Sequence, residues 1–429
     1  MSEREPYNGY MSPMMNSGLF TARWIMPAAG PPMRDACLAV EGGRIVSVQS
    51  VRGRVSGATD FGEAIILPGL INAHTHLELT GLAGRVPYRG SFIGWLESLI
   101  RAVIDEQDYA RFISAGLSQS LATGVTVVGD IGIGQPAIQA WRQGGIHTIG
   151  FLEVLGMGHR STAPRDRSTK TAEALLVGTP PTDDTRRILR VGISPHAPYT
   201  TDPAIYRRAV DLANRLQRPL CTHLAETRAE LQFLSDGTGP FRDFLERYGL
   251  WDDTFKPPGD SPIEYANRLG LLKNRCLLVH ANYVSNNDLD LLARTSCSIV
   301  YCPRSHHFFH HEPHRFGEMI RLGINVCLGT DSLASNDSLS ILDELRFVHA
   351  TNPAVDPARL LHMATRAGAV ALGLETQLGQ LTPGLRADFV ALPLEQPKTT
   401  DPFGDLLHCN LSPIAVFLSG KQIYGMYKS

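Results

Sequence analysis

Short runs of apolar, β-branched residues recur through the middle of the chain, and the segments between them have apolar positions every three to four residues. The first pattern is typical of buried β-strands. The second, as at 205–217, 286–294 and 339–350, is typical of amphipathic helices. Eight strands that alternate with helices predict a closed parallel (β/α)8 barrel of the TIM type. The strand-like runs lie at roughly 65–73, 124–130, 147–154, 189–195, 219–223, 276–280, 298–302 and 325–330.

The two ends of the chain have a different pattern. Short alternating runs, broken by Gly-Gly and Pro-Gly turns, cover residues 19–67 and 376–429. Alternation with a period of two is typical of half-buried strands. The sequence therefore predicts one small β-domain made of residues 1–67 and 376–429, and a barrel formed by residues 68–375.

Composition narrows the class of partner. The 429 residues are 43% hydrophobic and 19% charged, with a formal net charge of −2. The net charge is unlike that of a basic nucleic-acid binder, and the hydrophobic fraction is higher than that of a disordered chain. We expect a small-molecule partner and no nucleic acid.

Targeting signals and cysteine usage point to a reducing compartment. The first residues include acidic side chains without a continuous apolar run, which argues against a signal peptide, and no stretch has the 18 apolar residues of a membrane helix. The cysteines are seven, an odd number, and Cys221, Cys276, Cys302 and Cys327 lie in strand-like segments without CxxC spacing. We expect a cytoplasmic protein with free thiols, no disulfides and no membrane association.

Candidate metal ligands follow the predicted strands. His74 and His76 come after the first strand, and alternate residues of an extended chain point to the same side, so both imidazoles can contact one ion. An isolated HxH pair is a weak signal. Further polar residues close other strand-like runs, and parallel barrel strands all end on one rim, so these side chains are expected to converge. They are His196, His223, His280 and Asp331.

These motifs resemble the amidohydrolase superfamily over nearly the whole chain. The similar segments are HTH after the first strand, HLAE at the fifth, VHA at the sixth and GTDS at the eighth. The most similar branch contains cytosine, guanine, S-adenosylhomocysteine and aminodeoxyfutalosine deaminases and triazine chlorohydrolases. Within this branch, the motifs most resemble those of aminodeoxyfutalosine deaminase. The resemblance implies the same barrel and a β-sandwich formed by the two termini.

The resemblance also implies roles for individual residues. His74, His76, His223 and Asp331 would be metal ligands, Glu226 would be the proton shuttle, and His280, together with Asp331, would orient the attacking water. Glu226 lies three residues beyond His223, close enough to face the same water. The alternative for Glu226 is a carboxylate that stabilises the start of a helix.

One divalent ion is expected. Two-metal members of the superfamily carry a carboxylated lysine on the fourth strand, whereas here that strand ends at His196 and no lysine closes a predicted barrel strand. Three imidazoles and a carboxylate suit zinc, while iron or manganese would also fit.

Two residues are candidates for substrate contact. His196 lies in SPHAPYT, which resembles the segment that contacts the substrate ring in nucleoside-type deaminases. Its alternative role is a rim histidine bonded to a loop carbonyl. Trp95 lies in FIGWLESLI, which resembles the helix where an aromatic residue flanks the ligand in S-adenosylhomocysteine and aminodeoxyfutalosine deaminases. Trp95 could equally be an ordinary core residue.

Two segments, 156–170 and 237–262, fall outside the barrel rhythm, and we expect them to be excursions above the barrel. The first contains Arg160, Arg165 and Arg167, which could hold an anionic part of a substrate. A solvated basic loop is the alternative. Related enzymes that act on carboxylated nucleosides use arginines in this region, so Arg160 is retained as a candidate.

The segment after the seventh strand departs from the family pattern. Relatives often have CPxSN, whereas this chain has CPRSHHFFHHEPHRF, with His306 in place of the usual Asn. The five histidines between positions 306 and 314 could form a second metal site or, beside Phe308 and Phe309, a wall of the substrate pocket.

The sequence thus predicts a metal-dependent hydrolase that removes an amino group from a purine, as a nucleoside such as aminodeoxyfutalosine. Alternatives within enzymes are deaminases of S-adenosylhomocysteine, methylthioadenosine or guanine, and a triazine chlorohydrolase. A non-catalytic scaffold is the alternative from another class, against which the complete ligand set argues. We expect a homo-oligomer, most simply a dimer.

Overall fold

A computed structural model describes residues 16–102, 105–157, 165–184, 187–396 and 399–425, without the side chains of 106, 107 and 165–167. Arg160, a predicted substrate contact, lies outside the described residues, as do the side chains of Arg165 and Arg167.

Eight parallel strands form a nearly closed barrel in which sequence order is also spatial order. All eight are buried along most of their length because helices cover their outer faces, which explains the near-continuous apolar runs. A two-residue strand, β9 (Thr182–Asp183), is paired to the fourth barrel strand. The barrel strands are β6 (Leu70–Thr75), β7 (Val125–Gly132), β8 (His147–Val154), β10 (Ile188–Pro195), β11 (Leu220–Leu224), β12 (Cys276–His280), β13 (Ser298–Tyr301) and β14 (Asn325–Leu328).

Polar side chains close the barrel between its first and last strands. The Asn72 side chain donates to Thr330 Oγ1 at 2.7 Å and accepts from the Thr330 amide at 3.1 Å. The Thr75 hydroxyl donates to the Asp331 carbonyl at 2.9 Å, beside a parallel bridge between the same two residues. These bonds hold the carboxyl ends of β6 and β14 together at the barrel mouth.

Helices follow the barrel strands. The three helices predicted from periodicity are confirmed within a few residues, at Pro203–Leu216, Asn286–Leu292 and Ile341–Thr351. Short 3-10 helices lie at Leu77–Leu82 and Leu271–Lys273. The helices are α1 (Phe92–Arg101), α2 (Glu106–Ala122), α3 (Gly134–Gln143), α4 (Arg165–Val177), α5 (Pro203–Leu216), α6 (Arg228–Asp236), α7 (Pro240–Arg247), α8 (Pro262–Arg268), α9 (Asn286–Leu292), α10 (Pro303–Phe308), α11 (Phe316–Arg321), α12 (Ile341–Thr351), α13 (Pro357–Ala364), α14 (Arg366–Ala371) and α15 (Pro402–His408).

Both ends of the chain build a second, largely antiparallel sheet, as expected. Its N-terminal and C-terminal parts are joined where β5 (Ala64–Pro68) pairs with β15 (Phe389–Pro393). The Phe20, Phe389 and Phe417 rings pack together, with centroids 4.3 to 5.0 Å apart. Its strands are β1 (Gly18–Ile25), β2 (Met33–Glu41), β3 (Arg44–Ser50), β4 (Thr59–Asp60), β5 (Ala64–Pro68), β15 (Phe389–Pro393), β16 (Ala415–Leu418) and β17 (Lys421–Tyr424).

The structure corrects two details of the sequence pattern. The apolar run 65–73 is two strands, because the chain leaves the terminal sheet at Pro68 and enters the barrel after Gly69. A Cβ at Gly69 would lie 2.1 Å from the Thr126 hydroxyl, so this crossing requires glycine. The segment 237–262 contains α7, a helix that its Pro and Gly content obscured.

The seven cysteines are all free, and six are buried. Within the described part of the chain, no helix combines the length and the apolar character that crossing a membrane requires.

Candidate metal centre and active site

Four predicted ligands meet at the barrel mouth. His74 Nε2 lies 3.7 Å from Asp331 Oδ1, and the Nε2 atoms of His76 and His223 lie 3.1 Å apart. Both ring nitrogens of His74 are buried and have no hydrogen-bond partner in the described structure. Buried polar atoms rarely stay unpaired, so a group outside the chain is the natural partner of these nitrogens.

The donor set fits a divalent cation. Ligand atoms of His74, His76 and Asp331 lie within 4.8 Å of one another, and so do those of His74, His223 and His280. Imidazole nitrogens and a carboxylate are the usual ligands of zinc and similar ions. One ion could therefore be held by His74 and His76 at the end of β6, His223 of β11 and Asp331 in the turn after β14.

Protonation of the cluster also suits a cation. Burial first, and then the neighbouring imidazoles, lower the pKa of His76 and of His223 to about 3, and burial lowers the pKa of His74. Burial acts to raise the pKa of Asp331, but the surrounding histidines lower it further than burial raises it. At neutral pH the imidazoles are therefore neutral and the carboxylate is ionised, which are the forms that bind metals.

The Asp331 carboxylate is held in place from behind. Ser305 and Ser335 donate their hydroxyls to Asp331 Oδ2 at 2.7 and 2.8 Å, which leaves Oδ1 facing His74. Hydrogen bonds of this kind fix the orientation of a metal ligand.

The backbone is strained where it presents these side chains. His280 and Asp331 have positive φ angles of 75° and 59°, a region that residues with a Cβ rarely adopt. Such strain is concentrated at functional sites, where the surrounding structure supports it. Here it turns the two side chains into the mouth as their strands end.

Glu226 lies beside the cluster, in the turn after β11. Its Oε2 accepts a hydrogen bond from the Tyr199 hydroxyl at 3.1 Å, and its Oε1 lies 3.5 Å from His280 Nε2. Burial, and then the charge of Asp331, raise the pKa of Glu226 well above its ordinary value. The turn itself is held by Glu230, whose carboxylate accepts from the amides of Ala225 and Glu226, both at 2.8 Å. A carboxyl group with a raised pKa beside a metal site is suited to accept a proton from water and to release it to a substrate.

A cavity of about 840 Å³ opens over the cluster. His196 and Trp95, both predicted substrate contacts, line it. His196 Nδ1 lies 2.6 Å from the Thr200 hydroxyl, and Trp95 is buried with its Nε1 donating to the Ala334 carbonyl at 3.3 Å. The apolar lining away from the metal cluster includes Leu99, Ile100, Leu155, Leu175, Phe244 and Leu250.

The histidine-rich segment lies behind the mouth. His306 is on α10, with its ring 5.4 Å from that of His311, and it is not among the residues that line the cavity. His314 Nε2 contacts the His280 carbonyl at 2.9 Å. Within the described residues, ligand atoms of this segment do not form a group of three within 4.8 Å. The described residues therefore offer no second metal site in this segment, and substrate contact by His306 stays a prediction. The contact of His314 with the His280 carbonyl joins the segment to the end of β12.

Sequence reasoning missed several residues that the structure places at the site. Tyr199 lies in the SPHAPYT segment that was singled out only for its histidine, and Glu78 lies in HTHLEL, two residues after the predicted metal ligand His76. Both line the cavity, as does Glu153 at the end of β8. Their positions near the ends of predicted strands could have identified these three residues as candidates. The sequence spacing of each residue, however, does not indicate which other residue it contacts.

Comparison with known proteins identifies the family. Residues 65–423 match the model of the amidohydrolase family, so the chain belongs to that family. A 5-methylthioadenosine/S-adenosylhomocysteine deaminase of Nitratidesulfovibrio vulgaris strain Hildenborough is 30% identical over 392 residues, covering 88% of this chain and 83% of the relative. The corresponding deaminase of Lawsonia intracellularis is 31% identical over 81% of this chain and 76% of the relative.

Solved structures share the fold. An adenosine deaminase from Xanthomonas campestris with bound zinc superposes with a TM-score of 0.78 and 26% identity, covering 94% of this chain and 92% of that one. Helicobacter pylori aminofutalosine deaminase has a TM-score of 0.82 at 24% identity, with coverage of 95% and 100%. The expected fold class and family are confirmed, and so is the expectation of a hydrolase that acts on C–N bonds other than peptide bonds.

Proposed function

We propose that the protein is a deaminase of adenine nucleosides that uses one divalent cation, with zinc as the favoured ion. The observation that carries the proposal is a buried Glu226, held at one oxygen by Tyr199, directly beside the metal-ligand cluster in the wall of a cavity of about 840 Å³. The named relatives act on 5-methylthioadenosine and S-adenosylhomocysteine, which supports the same substrate class here.

The residues have distinct roles in this proposal. His74, His76, His223 and Asp331 would hold the ion, which when bound lowers the pKa of a coordinated water from about 15.7 toward 7. Glu226 takes a proton from the attacking water at Oε1 and returns it to the substrate nitrogen, so that ammonia can leave. His280 lies next to that oxygen and orients the water together with Asp331.

The cavity favours a particular 5′ substituent. Beyond the polar end, the described lining is mostly leucine, isoleucine and phenylalanine, which suits an apolar arm. We favour 5′-methylthioadenosine as substrate. Aminodeoxyfutalosine, the substrate that the sequence favoured, is the second candidate. It carries a carboxylate that needs a charged partner, and Arg160 is the candidate for that role.

The test is an ammonia-coupled assay of the metal-loaded protein with adenosine, 5′-methylthioadenosine, S-adenosylhomocysteine, aminodeoxyfutalosine, guanine and a chlorinated triazine. Release of ammonia from adenine nucleosides alone is expected. Glu226→Gln should retain the metal, measured by elemental analysis, while kcat falls by about 10² to 10⁴-fold. Glu246→Gln, an exposed glutamate on α7, is the matched control and should retain activity.

Two results would contradict the proposal. Undiminished deamination by Glu226→Gln would remove this residue from the mechanism. Absence of turnover on every compound by a protein with a full complement of metal would favour a non-catalytic scaffold.

A further inference from the structure

A buried carboxyl group lies behind the metal-ligand cluster, on the helix that follows the last barrel strand. Glu344 is in the first turn of α12, is fully buried and is not among the residues that line the cavity. Burial raises the pKa of Glu344 to about 8, and the hydrogen bonds that it accepts act in the opposite direction. A carboxylate in such a place is costly unless its oxygens are bonded. The mechanism proposed above assigns no role to this residue.

Each oxygen of Glu344 holds a different segment of the chain. Oε2 accepts from the Arg304 amide at 3.0 Å, at the start of α10. Oε1 accepts from Asn336 Nδ2 at 2.7 Å, in the segment between β14 and α12. The same Asn336 nitrogen donates to the Thr330 carbonyl at 2.8 Å. One side chain therefore joins the segment after β13 to the segment after β14.

These two segments supply both hydroxyls that hold Asp331. Ser305 and Ser335 are each next in sequence to a residue that donates to Glu344. Their hydroxyl oxygens lie 3.0 Å apart, and both hydroxyls donate to Asp331 Oδ2. Because Oδ2 is occupied in this way, Oδ1 is the oxygen that faces His74. The contacts of Glu344 thus fix the two serines relative to each other, and the serines fix the Asp331 carboxylate.

Asp331 needs this support because its backbone is strained. Its φ angle of 59° is one that residues with a Cβ rarely adopt, and such conformations persist only where the surrounding contacts enforce them. A serine hydroxyl can rotate, so it orients a carboxylate only if its own backbone is held in place. Glu344 ties together the backbone segments of both serines.

We propose that Glu344 is a positioning residue for the proposed metal ligand Asp331, acting through Ser305 and Ser335. The inference rests on the metal centre of the proposed function but not on the identity of the substrate. Without the Glu344 carboxylate, the two segments would shift independently, and Asp331 Oδ1 would no longer be held toward the ion. Removing a group that orients a metal ligand usually weakens metal binding by about 10 to 100-fold.

The experiment measures the zinc affinity of the full-length protein by competition with a chelator of known affinity. Glu344→Gln replaces one acceptor oxygen with a donor, so one of the two bonds becomes a contact between two donors. Zinc affinity should fall by at least about tenfold. Asp288→Asn, which changes a buried carboxylate at the start of α9, is the matched control and should leave zinc affinity unchanged. The melting temperature of each metal-free protein reports any general loss of stability.

A double-mutant cycle separates positioning from other effects of Glu344. In a protein that carries Ser305→Ala and Ser335→Ala the two hydroxyls are absent, so adding Glu344→Gln should change zinc affinity by less than about twofold. A direct effect of the Glu344 charge on the ion, or a general loss of packing, would lower the affinity in both backgrounds. Equal effects in the two backgrounds would therefore overturn the inference, as would unchanged zinc affinity of the Glu344→Gln protein.

Asn336→Ala is the second variant, for the case that Glu344→Gln protein does not fold. It removes the donor to Glu344 Oε1 and leaves the sequence of α12 intact. Zinc affinity should again fall. Unchanged zinc affinity of this variant would overturn the inference.

The outcomes separate this inference from the deaminase proposal. If zinc affinity depends on Glu344 and the serines but no compound releases ammonia, the deaminase proposal fails and the inference stands. If the protein releases ammonia from adenine nucleosides and Glu344→Gln has unchanged zinc affinity, the inference fails and the deaminase proposal stands. If the wild-type protein binds none of zinc, iron and manganese, both fail.

Discussion

A single hydroxyl determines which oxygen of Glu226 would be free to transfer protons in the proposed reaction. Tyr199 donates to Oε2, and its ring stacks on Phe241 of α7 with centroids 3.8 Å apart. The tyrosine is therefore fixed by packing on one side and holds the carboxylate on the other. It acts through Glu226 and is a positioning residue for the proposed reaction.

Tyr199→Phe should lower kcat roughly tenfold, because a hydrogen bond to a charged group contributes about 1.5–3 kcal/mol and the carboxylate would lose its fixed orientation. KM should change less, since Tyr199 acts through Glu226. Steady-state ammonia release would measure both constants. Tyr206→Phe is the matched control, because this buried tyrosine bonds to the Thr222 hydroxyl at 3.0 Å and is not among the residues that line the cavity. A similar fall in kcat for both variants would indicate a general loss of packing.

At the scale of elements, the relation between β6 and β7 positions two proposed metal ligands, His74 and His76. The Asp130 carboxylate, at the end of β7, accepts from the Leu77 amide at 2.9 Å and from Trp141 Nε1 at 2.6 Å. Leu77 directly follows His76, so this bond fixes the turn in which the second histidine lies. The arrangement couples a ligand on one strand to a helix packed behind the next.

Asp130→Asn should weaken metal binding by about 10 to 100-fold, the usual effect of removing a group that orients a ligand. The amide has one acceptor oxygen for two donors, so the turn after β6 loses a constraint. Competition with a chelator of known affinity would give the change. Asp288→Asn, a buried carboxylate that accepts from the Ser285 amide at 2.8 Å at the start of α9, should leave metal affinity unchanged. Equal metal affinity of Asp130→Asn and wild type would exclude a positioning role for Asp130.

At the scale of the whole molecule, a buried pair joins the barrel to the terminal sheet. His147 Nδ1 accepts from the Ile188 amide at 2.9 Å, so Nε2 carries the proton and donates to Asp388 Oδ2, also at 2.9 Å. The other Asp388 oxygen accepts from the Ser419 amide at 2.7 Å. One carboxylate thus connects β8 with the chain beside β15 and β16.

Asp388→Asn should lower the free energy of unfolding by about 1–3 kcal/mol, because one of two buried donors loses its acceptor. Urea denaturation of the metal-loaded protein would measure the change. Asp60→Asn affects an exposed carboxylate that accepts from the Thr21 hydroxyl at 3.0 Å, and it should change stability by less than about 0.5 kcal/mol. Equal stability of Asp388→Asn and wild type would show that the pair does not hold the two parts together.

Much of the architecture follows from local pattern. Apolar runs identified the eight barrel strands, and the polar residues that close those runs identified His74, His223, His280 and Asp331 as neighbours. This works because burial imposes a short-range period on the sequence, and because parallel strands in a barrel all end on one rim. The division of the apolar run 65–73 into two strands escaped prediction, since β5 and β6 are both buried and have the same apolar character.

The finer features of the site arise only from tertiary structure. The Tyr199 hydroxyl meets Glu226 across 27 positions, and Glu78 and Glu153 line one cavity although they are far apart in the sequence. Ser305 contacts Asp331, whereas its neighbour His306 is not among the residues that line the cavity. Such contacts depend on how loops and rotamers pack after the barrel has closed. Sequence alone therefore determined that His74, His223, His280 and Asp331 close barrel strands on one rim, whereas packing decided which further residues join them and which atoms face one another there, because periodicity records burial but contains no information on the partner across the barrel.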